Sequence, residues 1–202
     1  MQLHIVKYSG AFGYIKPWTA VRDSETFSQQ FLTPSIVEGI EKKLFPELLA
    51  ESGIHKILRH RLSYAGLSKQ QEQTQPRGID IKNKKGVVTV QRPRSILLRG
   101  VMLEPLLLLA FKAREDAERA IRQHLCLCRN EDVILPTSEI ISVAEEEFDA
   151  PEGGFNGFEL RFGETPESFI VGYNRFDSAK PMYGYLHIVG DPIRSSEAAY
   201  HL

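Results

Sequence analysis

The sequence has little cysteine. Cys126 and Cys128 are the only two in 202 residues. They stand one residue apart, so an extended strand would point them to opposite faces, a poor arrangement for a disulfide. A disulfide framework is excluded, and so few cysteines suit a reducing cytosol. Metal ligation is equally thin. His124 precedes the pair, but an H-x-C-x-C run without further ligands does not make a zinc site. No metal and no cofactor are expected. Long hydrophobic runs are also missing. The longest, Pro105 to Phe111, is too short to span a bilayer. No charged-then-apolar leader pattern opens the chain, so a cytoplasmic location without membrane contact is expected. There is no P-loop, no G-x-G-x-x-G after a strand, no nucleophile elbow and no His/Asp cluster at metal spacing. Gly153, Gly154 and Gly157 read as a turn rather than a phosphate cradle. No internal repeat or low-complexity tract is visible.

What is present is enough chain for one large domain, or one domain with a small appendage, around a real core. Charge is balanced in total, with 25 Lys and Arg against 26 Asp and Glu. It is uneven in placement. His55 to Arg99 holds eleven Lys or Arg against two acidic residues, Glu72 and Asp80. Glu131 to Glu167 holds eleven acidic residues against one Arg, Arg161. Such polarity points to a basic surface for a polyanion and an acidic surface facing elsewhere. The plainer reading is two solvated faces of opposite sign.

Periodicity supplies the elements. Leu3 to Tyr8 alternates apolar and polar residues, as a half-buried strand does. A Gly-aromatic loop with Lys16, Pro17 and Trp18 follows. Thr33 and Pro34 then signal a helix start, one as cap and the other as a first-turn residue. Ile36, Val37, Ile40 and Leu44 make one apolar helix face, and Pro46 ends it. Gly39, inside this helix, is expected to permit close approach of a strand or of the Lys16 to Trp18 loop. Ile54 to Leu62 reads as a basic strand. The polar stretch from Ala65 to Gly78 has few groups able to build a core. Gly78 to Gln91 reads as a basic-tipped hairpin turning through Asn83 to Gly86. Ser95 to Phe111 reads as one central strand in which Pro105 demands an edge or a bulge. Ala113 to Leu125 is an amphipathic helix with Ala117, Ala120, Ile121 and Leu125 inward. Ser138 to Phe148 fits another strand. The order is βαββαβ, a ferredoxin-like α+β domain over 1–150 with a hairpin insertion at about 65–94. Residues 151–202 read as a β-rich C-terminal extension. This order occurs in many unrelated proteins, so it proves no function.

The basic insertion and its flanks are the strongest functional signal. RNA is held through its phosphates by Lys and Arg, and unpaired bases stack on aromatic rings. Arg59, His60, Arg61, Lys69, Lys82, Lys84, Lys85, Arg92 and Arg94 supply charge, with Lys16 and Arg22 ahead of the first helix. Tyr14, Trp18 and Tyr64 supply rings, although Trp18 reads equally as a hydrophobic plug beside Pro17. Metal-free RNA cleavage would need a base for the 2′-hydroxyl proton and a cation near the scissile phosphate. His55, Lys56 and His60 are the one group that offers both, with Lys56 and His60 on one strand face. A lone His on a basic strand is more often a phosphate contact.

The first 45 residues resemble the opening of the Cas-five family of CRISPR-associated proteins, RAMP-superfamily subunits of RNA-guided surveillance complexes. The matching residues are Gly10, Phe12, Tyr14 and Pro17 in the loop, then Thr33, Pro34, Ser35, Gly39 and Ile40 in the helix. The type I-C variant is the nearest in pattern. Gln91 to Ala113, Cys126 to Leu135, and the two segments SFIVGYNRF and PMYGYLHIVGDPI are similar to its later elements, in the right order. The resemblance implies a subunit that caps the backbone of the complex and holds the 5′ handle of the guide RNA. It implies a Cas-seven-type backbone subunit and a large subunit as partners. In type I-C relatives a Tyr ending the first helix, with a Lys-His pair near the second, cuts the repeat RNA. Here Phe45 ends the helix, and Gln123 precedes His124. The resemblance therefore implies a non-catalytic subunit. The alternatives are a metal-independent endoribonuclease maturing CRISPR RNA and a protein-only interaction module.

Overall fold

The computed structural model describes residues 1–17, 25–74, 79–91, 95–174 and 177–194. Trp18, Arg22, Arg92 and Arg94 lie outside the described residues. The architecture is mixed α+β and dominated by sheet. In chain order the strands and helices are β1 (Gln2–Ser9), β2 (Phe12–Gly13), β3 (Glu25–Phe27), α1 (Pro34–Leu44), β4 (Ile57–Ser63), β5 (Gly66–Thr74), β6 (Asp80–Lys84), β7 (Val87–Gln91), β8 (Ser95–Leu103) and β9 (Leu106–Phe111). Then come α2 (Arg114–Ala120), β10 (Leu125–Cys126), β11 (Val133–Ala144), α3 (Glu145–Asp149), β12 (Gly157–Phe162), β13 (Phe169–Asn174) and β14 (Lys180–Val189).

One sheet of eight strands has the order β10-β11-β1-β9-β4-β12-β14-β13. All its pairings are antiparallel. Its faces follow from strand alternation. Val6 and Tyr8 of β1, Leu107, Leu109 and Phe111 of β9, and Leu62 of β4 pack with Val37, Ile40 and Leu44 of α1 and Ala117 and Ala120 of α2. The intervening residues Leu3, Ile5, Leu108 and Ala110 face the opposite way and pack with Phe148 of α3 and Phe155. The two-residue period of the strands thus builds two cores on one sheet. Tyr8 ties α2 down by donating its hydroxyl to the Ala120 carbonyl at 2.7 Å.

α1 begins as its sequence suggests, with Pro34 in the first turn. Thr33 stands at the cap position, but its side chain makes no capping bond; its carbonyl accepts the amides of Ile36 and Val37 at 3.0 Å each. Gly39 corrects the expected close approach. An added Cβ there would meet nothing within 4 Å. Within this helix, the chain uses a signal the sequence hides. Glu41 is fully buried, and its carboxylate accepts the amides of His55 (2.8 Å), Lys56 (2.6 Å) and Ile57 (2.7 Å). One acidic side chain on α1 thereby fixes the entry into β4.

Three expected elements come out differently. The polar stretch after Ala65 is β5, paired with β8 over nine residue pairs from Gly66↔Leu103 to Thr74↔Ser95. The expected central strand from Ser95 to Phe111 is two strands in two sheets. The chain turns at Glu104, which has φ 46°, and Pro105, which has no amide hydrogen for a ladder. β8 goes to a second sheet with β2, β3 and β5, while β9 enters the middle of the large one. Ser138 to Phe148 splits as well: the strand ends at Ala144, and the acidic run is α3. β12, β14 and β13 continue the large sheet beyond β4. Gly157 permits this join, since a Cβ there would lie 2.9 Å from the Arg61 Cβ and 3.1 Å from the Leu62 carbonyl oxygen. No helix among the described residues is long and apolar enough to cross a membrane.

Candidate nucleic-acid interface

The hairpin β6–β7 forms its own two-stranded sheet. Its turn residues Lys85 (φ 51°) and Gly86 (φ 81°) both sit in the left-handed region. Two such residues in sequence match the twist of a tight hairpin. The ladder pairs Lys82 with Thr89, Lys84 with Val87, Ile81 with Val90 and Asn83 with Val88. Alternation therefore places Lys82 and Lys84 on one face and Ile81, Val88 and Val90 on the other. Every residue of the ladder is exposed. Asp80 shares the face of Lys82 and Lys84, but among the described residues the three lysines form no ion pair, so most of their charge is available to a polyanion. Lys69 is also exposed, at 59 %, in a surface pair with Glu25 at 2.6 Å. Lys16 is exposed in the loop after β2.

Arg59, His60 and Arg61 are elsewhere, and the structure corrects the expectation that they contribute to a cationic surface. β4 is an interior strand with β9 on one side and β12 on the other. Alternation turns Arg59 and Arg61 toward α3. Arg59 donates from Nε to Oε1 of Glu159 at 2.5 Å and from Nη2 to Oε2 of Glu159 at 2.8 Å, and from Nη2 to Oδ1 of Asp149 at 2.6 Å and from Nη1 to Oε1 of Glu145 at 3.1 Å. Arg61 is fully buried. It donates to the carboxylates of Glu159 and Asp149 and to the carbonyls of Phe148 and Phe155. Its guanidinium carbon lies 3.9 Å from the centre of the Phe148 ring. Arg161 joins through Asp149 at 3.0 Å. The acidic and basic blocks of the sequence are thus partly one internal network of three arginines and three carboxylates. Burial pushes the Asp149 carboxyl up, but the hydrogen bonds and charges of Arg59 and Arg161 outweigh it and hold it at about 2. Burial opposes the Glu159 charge as well, and the same arginines bring it below the usual carboxylate range.

His60 faces the other way, toward Leu32. It is 4 % exposed and stacks on Phe162 with ring centres 5.5 Å apart. Its Nε2 is buried without a hydrogen-bond partner. Burial drives its pKa down to about 4, against the attraction of Glu159. The group His55, Lys56 and His60 is therefore not assembled. His55 is near Glu51 on the surface, and Lys56 precedes β4 and pairs with Asp116 at 2.5 Å. Tyr14 and Tyr64, at 4 % and 1 % exposure, are core residues and offer no free ring.

Phe45 is fully buried, edge-on to Phe111 with ring centres 6.0 Å apart. The Lys56 ammonium lies 4.5 Å and the Arg119 guanidinium 5.0 Å from its ring centre. Near α2, the Gln123 side chain donates to the Leu44 carbonyl at 2.9 Å, and Lys43 donates to the carbonyl of His124. These groups close the end of α1 against α2. Among the described residues no three His, Cys, Asp or Glu side chains are grouped to hold a metal, and Cys126 and Cys128 are free thiols.

The basic tip of the hairpin was legible in sequence; the burial of the β4 arginines was not. No protein-family model matches the chain, and no curated protein matches it. A solved structure described as "CRISPR RNA-guided surveillance complex" contains a chain of similar fold, with a TM-score of 0.50 and 11 % identity over 94 % of this chain and 91 % of that one.

Proposed function

We propose that this chain is a non-catalytic, Cas-five-like RAMP subunit of a type I or related CRISPR RNA-guided complex, binding the 5′ handle of the guide RNA. The observation that carries the reading is the fold likeness across nearly the whole of both chains. The loop and helix residues from Gly10 to Ile40 support it independently. In this reading the strands β11-β1-β9-β4 with α1 and α2 are the ferredoxin-like unit within residues 1–150. Residues 65–94 are its RNA-contacting insertion, and 151–202 its extension. Cas-seven-type and large subunits are the partners, and a cytoplasmic location follows.

Phosphate contact falls to Lys82, Lys84 and Lys85, aided by Lys16 and Lys69 and, from outside the described residues, by Arg22, Arg92 and Arg94, with Trp18 offering a ring to stack on a base. Lysines outside ion pairs release counterions on binding, so affinity falls with salt. The exposed aliphatic face of the hairpin suits a protein neighbour in the assembled complex. Catalysis is disfavoured chemically. Phe45 has no ionisable hydroxyl, and His60 is shut off from any 2′-hydroxyl.

The test is co-expression with the backbone and large subunits and a CRISPR array. The complex should retain guide RNA. Changing Lys82, Lys84 and Lys85 together to Glu should weaken binding and flatten the salt slope by about 0.7 per lost contact. Unchanged affinity and slope would remove the hairpin from the interface. Repeat RNA should stay intact at pH 8 with or without divalent metal; a single site-specific cut that survives chelator would favour the endoribonuclease. No RNA in the assembled complex would leave the protein-only module.

A further inference from the structure

The second sheet carries an exposed aromatic ring, Phe27. β3 runs parallel to β8 with Phe27 beside Gly100, and β5 runs antiparallel on the other side with Lys69 beside Gly100. Phe27, Gly100 and Lys69 therefore stand in one row across three strands, with their side-chain positions on one face. The space that a side chain at 100 would fill is taken by the Phe27 ring. A Cβ on Gly100 would lie 2.0 Å from Cδ1 of Phe27 and 2.7 Å from Cγ and Cε1. The ring is seated on bare backbone, yet 43 % of the residue remains exposed. The Lys69 ammonium is 5.7 Å from the ring centre.

The seat is rigid. The ladder holds Phe27 on one side, and Ser28 donates its amide to the Gly100 carbonyl at 2.7 Å. The Ser28 hydroxyl in turn accepts the Ile15 amide at 2.9 Å and donates to the Gln29 carbonyl at 3.0 Å. An aromatic fixed in this way loses little freedom when a flat group stacks on it. The Lys69–Glu25 pair is exposed at both ends, so the ammonium can exchange its partner for a phosphate at little cost. A ring and a cation side by side on a rigid sheet face are the elements with which sheets hold single-stranded nucleic acid. Tyr14 and Tyr64 cannot serve this purpose because they are buried.

We propose that Phe27, seated on Gly100, is a stacking platform for an unpaired base of bound RNA, with Lys69 holding the adjoining phosphate. The inference rests on the RNA-binding function proposed above and names a subsite for it. Stacking is insensitive to salt, whereas phosphate contact is not, and this separates the two.

The experiment measures binding of a single-stranded RNA carrying the repeat handle to the assembled complex, across a salt series. Phe27→Leu should weaken binding by about tenfold, the scale of one base-aromatic stack, with the salt slope unchanged. Phe27→Trp should bind at least as well as the parent. Gly100→Ala, which keeps the ring but takes its seat, should weaken binding as Phe27→Leu does. With 5-iodouridine RNA, light should cross-link the peptide containing Phe27. The melting temperature of Phe27→Leu should stay near the parent's because the ring is so exposed. Parent-like affinity of Phe27→Leu overturns the platform while leaving the RNA-binding function standing. Loss of affinity accompanied by a flattened salt slope also overturns it. Absence of RNA binding by the parent complex overturns both.

Discussion

His60 makes a prediction about acid stability. Its imidazole lies on the α1 side of β4 against Phe162, with the Leu32 backbone as its hydrogen-bond partner and Nε2 unpartnered. The charged groups near it are Glu159, Arg59 and Arg61. The carboxylate favours protonation, while burial and the two arginines oppose it and win, so the folded pKa is about 4 against 6.5 for a free imidazole. Between these values the unfolded chain binds a proton that the folded chain refuses. Stability therefore falls as pH drops through 6.5 and stops falling for this reason below 4. At pH 4.5 the loss relative to pH 7.5 is on the order of 2 to 3 kcal/mol, from the gap between the two values at about 1.4 kcal/mol per unit less the partial protonation at the lower end. His187, whose pKa burial also lowers, adds in the same direction. The assay is urea unfolding at pH 7.5, 6.5, 5.5 and 4.5 for the parent and for His60→Leu. The variant's absolute stability is not the readout. Its unfolding free energy should change by roughly 2 to 3 kcal/mol less between the extremes than the parent's does. Equal pH dependence in the two proteins would refute the burial argument, because it would mean that His60 protonates in the folded state as freely as in the unfolded.

Two further predictions concern α1. Glu41→Ala should destabilise the protein by about 3 kcal/mol or more, since it leaves the amides of His55, Lys56 and Ile57 without their acceptor; chemical denaturation would show it, and hydrogen exchange at those three amides should quicken first. Gly39→Ala should stabilise by up to about 1 kcal/mol, because the position is open and glycine is costly in a helix interior; a lower melting temperature would mean that something packs there after all.

The sequence alone determined the local elements whose signals are local. The alternation of Leu3 to Tyr8, the Thr33–Pro34 start with Pro46 beyond, and the Lys85–Gly86 turn between alternating runs each act through neighbours in the chain. They reappear as β1, α1 and the β6–β7 hairpin. The lysine-rich tip of the hairpin was also visible in the sequence, and every residue of its ladder is exposed. Tertiary structure decided the rest. Whether Arg59 and Arg61 meet solvent or carboxylate depends on whether β4 is an edge strand, and that depends on β12, about a hundred residues later, with Gly157 allowing the contact. The basic and acidic blocks were visible as counts, but only the fold turned part of them into ion pairs between Arg59 or Arg61 and Asp149 or Glu159. The polar run after Ala65 carries too weak a pattern to declare itself a strand; it becomes β5 because β8 offers it a ladder. The place of Phe27 on the second sheet had no local mark either. Its ring lies where it does because Gly100, seventy-odd residues away, leaves the space. Charge and periodicity are properties of neighbours along the chain, whereas burial and pairing belong to neighbours in space.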